Sequence, residues 1–298
     1  MTSTDPSMTE NRTEVVQSAV DGLEGELNAS SPLDAVLDSA IRDDNKDLVR
    51  AIVGAMEGSS TLASKRLAII FGKPELLRIL LEMDREIDDS IVETALECKD
   101  YESLNTLLDF GWRIETRIGL DLSPLDFAVD DLALMQCLVR LGANVNARSR
   151  LDESSLSRAI VSGSMEVVRY LIDEGTDLRH GNLLHCAAER SDQFEGADLV
   201  EELVKKGASV NAYRFHNPIA FRWRGLYTLP TALHIASANG NVLVAEALFR
   251  HGADPHQPML QATKLTKPSS LDIAHQNNNA VLVDLFTGRL APRCEKEA

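Results

Sequence analysis

Thr231-Ala-Leu-His-Ile-Ala-Ser-Ala-Asn-Gly240 decides how this chain is read, together with the Gly252-Ala-Asp-Pro-His256 that closes the same segment. Thr231 stands where a helix N-cap would, with a side-chain oxygen free to accept a backbone N–H. Ala236 is small enough for neighbouring helices to approach closely. Gly252 supplies the left-handed residue on which a second helix can stop. The segment therefore reads as helix, turn, helix and stop.

The same spelling recurs through the chain. Helix-closing glycines stand at Gly111, Gly142, Gly175, Gly207 and Gly252. A leucine soon after a Ser, Thr or Asn recurs at Leu125, Leu156, Leu184, Leu233 and Leu271. Ser123, Ser154, Thr231 and Ser269 are the expected caps, and Ala128, Ala159, Ala187, Ala236 and Ala274 the small contact residues. Second helices show apolar residues at helical spacing, as at Val167, Val168, Leu171 and Ile172. Each such helix pair leaves an apolar face that only the next pair can cover.

Thr231-Ala-Leu-His-Ile-Ala resembles the Thr-Pro-Leu-His-x-Ala signature of the ankyrin repeat, and the glycine spacing matches its period of about 33 residues. The resemblance implies an all-α solenoid of about eight helix-turn-helix repeats over residues 31–288, with hairpin fingers between repeats and divergent repeats at both ends. It also implies a structural role for His185 and His234, which hold the Leu-His place. Residues 1–30 carry six acids against Arg12 and no aromatic, and are expected to form an acidic disordered tail. Residues 289–298 are expected to form a charged C-terminal tail.

A net charge of −16 and pI ≈ 4.9 argue against nucleic acid and anionic lipid as partners, since both need a positive footprint. Cys98, Cys137, Cys186 and Cys294 are scattered without CxxC spacing, which fits neither a disulfide framework nor a zinc site. Cys186 is read as a buried structural thiol. With no signal-like stretch and no apolar run of about 18 residues, the expected location is cytoplasmic or nuclear.

Three places depart from the pattern. The fourth unit is short between Leu125 and Gly142, which predicts a tight turn between its helices. The sixth is long, with Arg190 to Asp198 read as an enlarged turn and Phe194 as an exposed aromatic. The largest departure is Tyr213-Arg-Phe-His-Asn-Pro-Ile-Ala-Phe-Arg-Trp-Arg-Gly-Leu-Tyr227, where a short connection has grown by roughly a dozen residues against the family period. From Leu203 to Ala245 there are five basic residues and no acidic one.

Within the insertion Tyr213, Phe215, Ile219, Phe221 and Trp223 alternate with Arg214, His216, Arg222 and Arg224. That period of two predicts an extended hairpin with an aromatic and a cationic face, turning at Asn217-Pro218. In one reading the aromatics pack on the repeats and the arginines are solvated or paired with the acidic body. In the other, Tyr213, Arg214, Phe221, Arg222, Trp223, Arg224 and Tyr227 meet a protein partner with an acidic or phosphorylated surface.

No phosphate-binding glycine loop, nucleophile elbow or histidine pair at metal-ligand spacing is found, so no catalytic residue, metal or cofactor is expected. The expected function is a non-catalytic protein-protein interaction module, acting as scaffold, adaptor or inhibitor through the concave face and the finger. The alternative is a recognition or regulatory subunit of a larger complex such as a ubiquitin ligase. The resemblance further implies Asn146 and Asn211 as sites of asparagine hydroxylation, which mass spectrometry of native material tests.

Overall fold

The computed structural model describes residues 32–55, 61–262 and 264–290. The expected tail 1–30 and residues 291–298 lie outside these. The chain divides into two compact units, up to Leu120 and from Asp121 onward.

In the first unit helices come in pairs: α1 (Pro32–Arg42) with α2 (Lys46–Ala55), α3 (Leu62–Ile70) with α4 (Pro74–Met83), and α5 (Asp89–Glu97) with α6 (Tyr101–Asp109). First helices α1, α3 and α5 pack in series, as do second helices α2, α4 and α6. Asp88 and Asp100 cap α5 and α6 by accepting the N–H groups of Ile91 and Ser103. One charged residue, Lys65, is wholly buried in α3. Its ammonium donates to Asp84 at 2.9 Å and to the Glu86 carbonyl at 2.8 Å. Burial works against the Asp84 charge, but hydrogen bonds from Lys65, Glu86 and Thr61 outweigh it and hold the carboxyl at about 2.

The second unit opens with a one-turn 3-10 helix (Pro124–Ala128) and α7 (Leu132–Arg140). It continues with α8 (Ser155–Ser162), α9 (Met165–Asp173), α10 (Leu183–Glu189), α11 (Gln193–Lys205) and α12 (Pro218–Arg224). Strand β1 (Thr228–Leu229) precedes α13 (Ala232–Ala238) and α14 (Val242–Arg250). A β2 (Pro258–Gln261) and β3 (Lys264–Ser269) hairpin then leads to α15 (Ser270–Gln276) and α16 (Ala280–Phe286). First helices α8, α10, α13 and α15 stack in series, and α11, α14 and α16 stack behind them. Leucines and valines on the facing sides, among them Leu156, Leu171, Leu203, Leu233 and Leu248, are excluded from solvent. Their burial supplies the main cohesion of the stack.

The expected repeat grammar holds in detail. Gly111, Gly142, Gly175, Gly207 and Gly252 all have positive φ, between 81° and 100°. A Cβ at any of them would meet nothing within 4 Å, so the backbone sign alone calls for glycine. Ser123, Ser154 and Ser269 cap the first helix of their pairs through their hydroxyls. At Thr231 the partner is a histidine: the hydroxyl lies 2.7 Å from His234 Nδ1, which also accepts the Thr231 N–H at 3.2 Å.

The two smaller departures resolve differently from expectation. The short fourth unit gives up helix instead of turn, since its first helix is only the 3-10 turn ending at Ala128. The extra residues of the sixth are not an enlarged turn. Asp192 caps α11 by accepting the N–H groups of Phe194 and Glu195, and the insert becomes added helix. Arg190 is buried and donates to the carbonyls of Ala159, Ile160 and Gly163, the open end of α8. Phe194 does project into solvent, at 75% exposure.

Candidate functional site

The insertion between Ala212 and Thr231 has a fixed root. Tyr213 bridges Thr231 in antiparallel fashion, and the Arg214 N–H donates to Pro230 O at 2.8 Å. The Tyr213 hydroxyl donates to Pro258 O at 2.9 Å. The Arg214 guanidinium, 16% exposed, forks onto both carboxylate oxygens of Glu189, with Glu153 at 3.9 Å. It also stacks on Phe215, 4.8 Å from the ring centre. Phe215 has φ +57°, and its N–H donates to Asn182 Oδ1 at 2.9 Å.

Beyond the root the expected hairpin is not formed. Asn217-Pro218 starts a helix instead of a turn: Asn217 Oδ1 accepts the Ala220 N–H at 2.9 Å, and Pro218 occupies the first helical position. A proline there gives up an N–H that has no intrahelical partner anyway. A helix has no period-two faces, so the aromatic and cationic sides do not separate. Ala220 is buried and Phe221 half-buried, its ring edge-on to His216 at 5.8 Å. Arg222 and Arg224 are exposed, Trp223 is 58% exposed and Tyr227 62%. Arg224 lies 5.7 Å from the Phe215 ring and 5.6 Å from Tyr227. Arg222 has no ion-pair partner among the described residues.

Gly225 ends the helix where no larger residue fits. A Cβ there would stand 2.6 Å from the Phe221 carbonyl oxygen and 2.8 Å from its ring. Of the seven residues predicted to meet a partner, Tyr213 and Arg214 thus serve the root and Phe221 the packing. Arg222, Trp223, Arg224 and Tyr227 form the open surface, joined by Leu226 at 83% exposure.

A second insertion adjoins the first, and sequence reasoning missed it. The β1, β2 and β3 strands form one antiparallel sheet, with Thr228 opposite Gln261 and Leu229 opposite Leu260. The Ala262 N–H donates to Gly225 O at 2.7 Å. The available signal was the wider spacing of Gly252 and Leu271 than of Gly142 and Leu156.

Reactive side chains near the insertion are committed to structure. His185 is buried with Nε2 3.1 Å from Ala212 O, and burial first, then the Arg214 charge, press its pKa down to about 4. His234 is likewise held at about 4, by burial. Burial pushes the Cys186 thiol up to about 12, the reverse of an activated nucleophile. The cleft beside the root, about 460 Å³, is lined by His180, Asn182, His185, Tyr213 and His216. Asn146 Oδ1 accepts the Asp177 N–H at 2.7 Å, and Asn211 Oδ1 the Asp254 N–H at 2.9 Å, each tying one finger to the next. Among the described residues no group of three or more His, Cys, Asp or Glu could hold a metal ion, and no helix is long and apolar enough to cross a membrane.

Comparison with known proteins matches residues 125–214 to the family model for ankyrin repeats in three copies, and residues 231–259 to that for a single ankyrin repeat. Residues 125–214 and 231–259 are ankyrin repeats. The two matches break off at Arg214 and resume at Thr231, leaving out the segment that carries the exposed cations and aromatics. A similar ankyrin-repeat relative is the "Ankyrin repeat and KH domain-containing protein mask-1" of Caenorhabditis elegans, 34% identical over 109 residues. A second is the "Putative ankyrin repeat protein L271" of Acanthamoeba polyphaga mimivirus, 27% identical over 107 residues. The matches cover 35% and 33% of this chain, and only 4% and 15% of those relatives. Ankyrin repeats generally mediate protein-protein interaction, and this chain shares that architecture.

Proposed function

We propose that this ankyrin-repeat protein is a non-catalytic protein-binding module whose principal contact surface is the insertion 213–227. The observation that carries this is the division of labour inside it. Arg214 is neutralised by Glu189 at the root, whereas Arg222, Trp223, Arg224 and Tyr227 stand in solvent with no internal task that demands them all. Exposed tryptophan and arginine side chains are the residue types most enriched at binding hot spots. The positive charge of the insertion, on a chain of net −16, favours a partner surface bearing carboxylates or phosphates. Locked imidazoles and a thiol at about 12 are consistent with scaffold work instead of chemistry.

The test replaces Arg222, Trp223 and Arg224 together with Glu, Ala and Glu in the full chain. Affinity purification from native cells should lose the main co-purifying protein while the melting temperature stays within about 2 °C, as expected for exposed positions. Unchanged recovery refutes the reading. A much earlier melt would instead assign the three side chains to support of the fold.

A further inference from the structure

The Pro258–Ser269 hairpin extends the insertion's surface with chemistry of its own. Cross-strand neighbours share a face of a sheet. Leu229 opposes Leu260, and Leu260 opposes Leu265, so the three leucines form one apolar row across β1, β2 and β3. Their exposures are 1%, 9% and 64%. The row begins in the core and ends uncovered. Leu226, just before β1, is also bare, and its carbonyl accepts from the Gln261 side chain. Lys264 and Lys267, both exposed, flank Leu265 along β3, and no acidic residue occurs between Pro255 and Leu271.

We propose that this hairpin is the second half of the binding surface, and that its occupant is an acidic segment of a partner protein with an apolar side chain set between carboxylates. This rests on the reading of the 213–227 insertion as a contact surface. The apolar side chain covers Leu265 and Leu226, and the carboxylates meet Lys264, Lys267 and Arg222. Charge complementarity argues for that occupant. On a chain of net −16, an acidic segment is repelled across most of the surface and accepted here, which fixes where it docks. Nucleic acid would need a far larger basic footprint than two lysines and an arginine. A second copy pairing edge to edge is opposed by Pro268, Lys264 and Lys267 on β3, the devices that blunt an edge strand.

A random 12-residue peptide library displayed on phage, panned against the full chain, supplies the probe. Enriched peptides should carry Asp or Glu on both sides of an aliphatic or aromatic residue. Fluorescein-labelled versions are then measured by anisotropy. Lys264→Glu with Lys267→Glu, and separately Leu265→Ser, should each weaken binding about tenfold, as should Arg222→Glu with Trp223→Ala. Circular dichroism melts should stay unchanged for all these exposed positions. If only the Arg222 and Trp223 variant weakens binding, the hairpin has no part and the inference falls while the insertion's role stands. If no variant weakens it, both fall. Enrichment without acidic residues overturns the proposed occupant. A concentration-dependent dimer in light scattering that Leu265→Ser abolishes would assign the surface to a second copy instead.

Discussion

The root and the tip of one insertion, a few residues apart, treat the same residue type in opposite ways. At the root Arg214 is enclosed, forked onto Glu189 and stacked on Phe215. At the tip Arg222 has no ion-pair partner among the described residues, and exposed Arg224 lies against the half-buried Phe215 ring and the exposed Tyr227 ring. Charge count alone would rate these arginines alike. Their surroundings separate them: a buried guanidinium is costly unless fully paired, whereas an exposed one contributes little to folding and is free to act on something else.

That contrast breaks most visibly at Arg214. Arg214→Ala strands Glu189 beside a buried histidine, and should lower unfolding free energy by about 3 kcal/mol, at the low end for a broken buried pair because Glu189 keeps some solvent contact. Urea titration measures this. Arg222→Ala should fall within about 0.5 kcal/mol of the parent. Equal effects at the two positions would erase the distinction between root and tip.

The next effect is on pH. His185 and His234 have folded pKa values near 4 against 6.5 for a free imidazole, so the unfolded chain takes up protons first as pH falls. Their contribution to stability is complete above 6.5 and is lost on acidification towards 4, by up to about 3 kcal/mol each. Because the Arg214 charge helps depress His185, Arg214→Met should raise that imidazole's pKa and leave His234 unmoved. NMR titration of the ring nitrogens follows both. Parallel shifts at the two histidines would show that the root charge does not reach His185 selectively.

The smallest effect concerns the passage from root to tip. Gly225→Ala forces a methyl against Phe221, and should cost about 1 to 2 kcal/mol through overpacking. The accompanying shift should appear as faster amide exchange at Ala262, whose N–H is bonded to the Gly225 carbonyl. Unaltered exchange would mean that the tip moves independently of the hairpin.

What could be read in the chain follows from how local its causes are. The glycines that close helices, the serine caps and the buried leucines each answer to a few neighbouring residues, and each was legible. Asn217-Pro218 was ambiguous because the same two residues start a turn or a helix. The choice fell to the helix when Phe221 found His216 and Ala220 found the core. The alternation of aromatic and cation suggested a strand, but among the described residues no partner strand lies along 215–224 to supply its hydrogen bonds. The β2 and β3 hairpin escaped notice because its strands, Pro258–Gln261 and Lys264–Ser269, carry prolines and lysines instead of an alternating apolar pattern, and β2 takes its other partner, residues 228–229, from a different connection. Arg190 was read as loop for a similar reason, since its ligands are carbonyls a whole repeat earlier.

The sheet that joins the two insertions also bears on elasticity. A stack of repeats flexes by small rotations summed over its joints. At the α11–α14 joint, backbone bonds from Thr228 and Leu229 to Gln261 and Leu260, with the Tyr213 hydroxyl on Pro258, act as a brace across successive connections. That joint is stiffened, and bending must concentrate at the other joints of the stack. Under pulling force, the braced pair of repeats should come apart late and together.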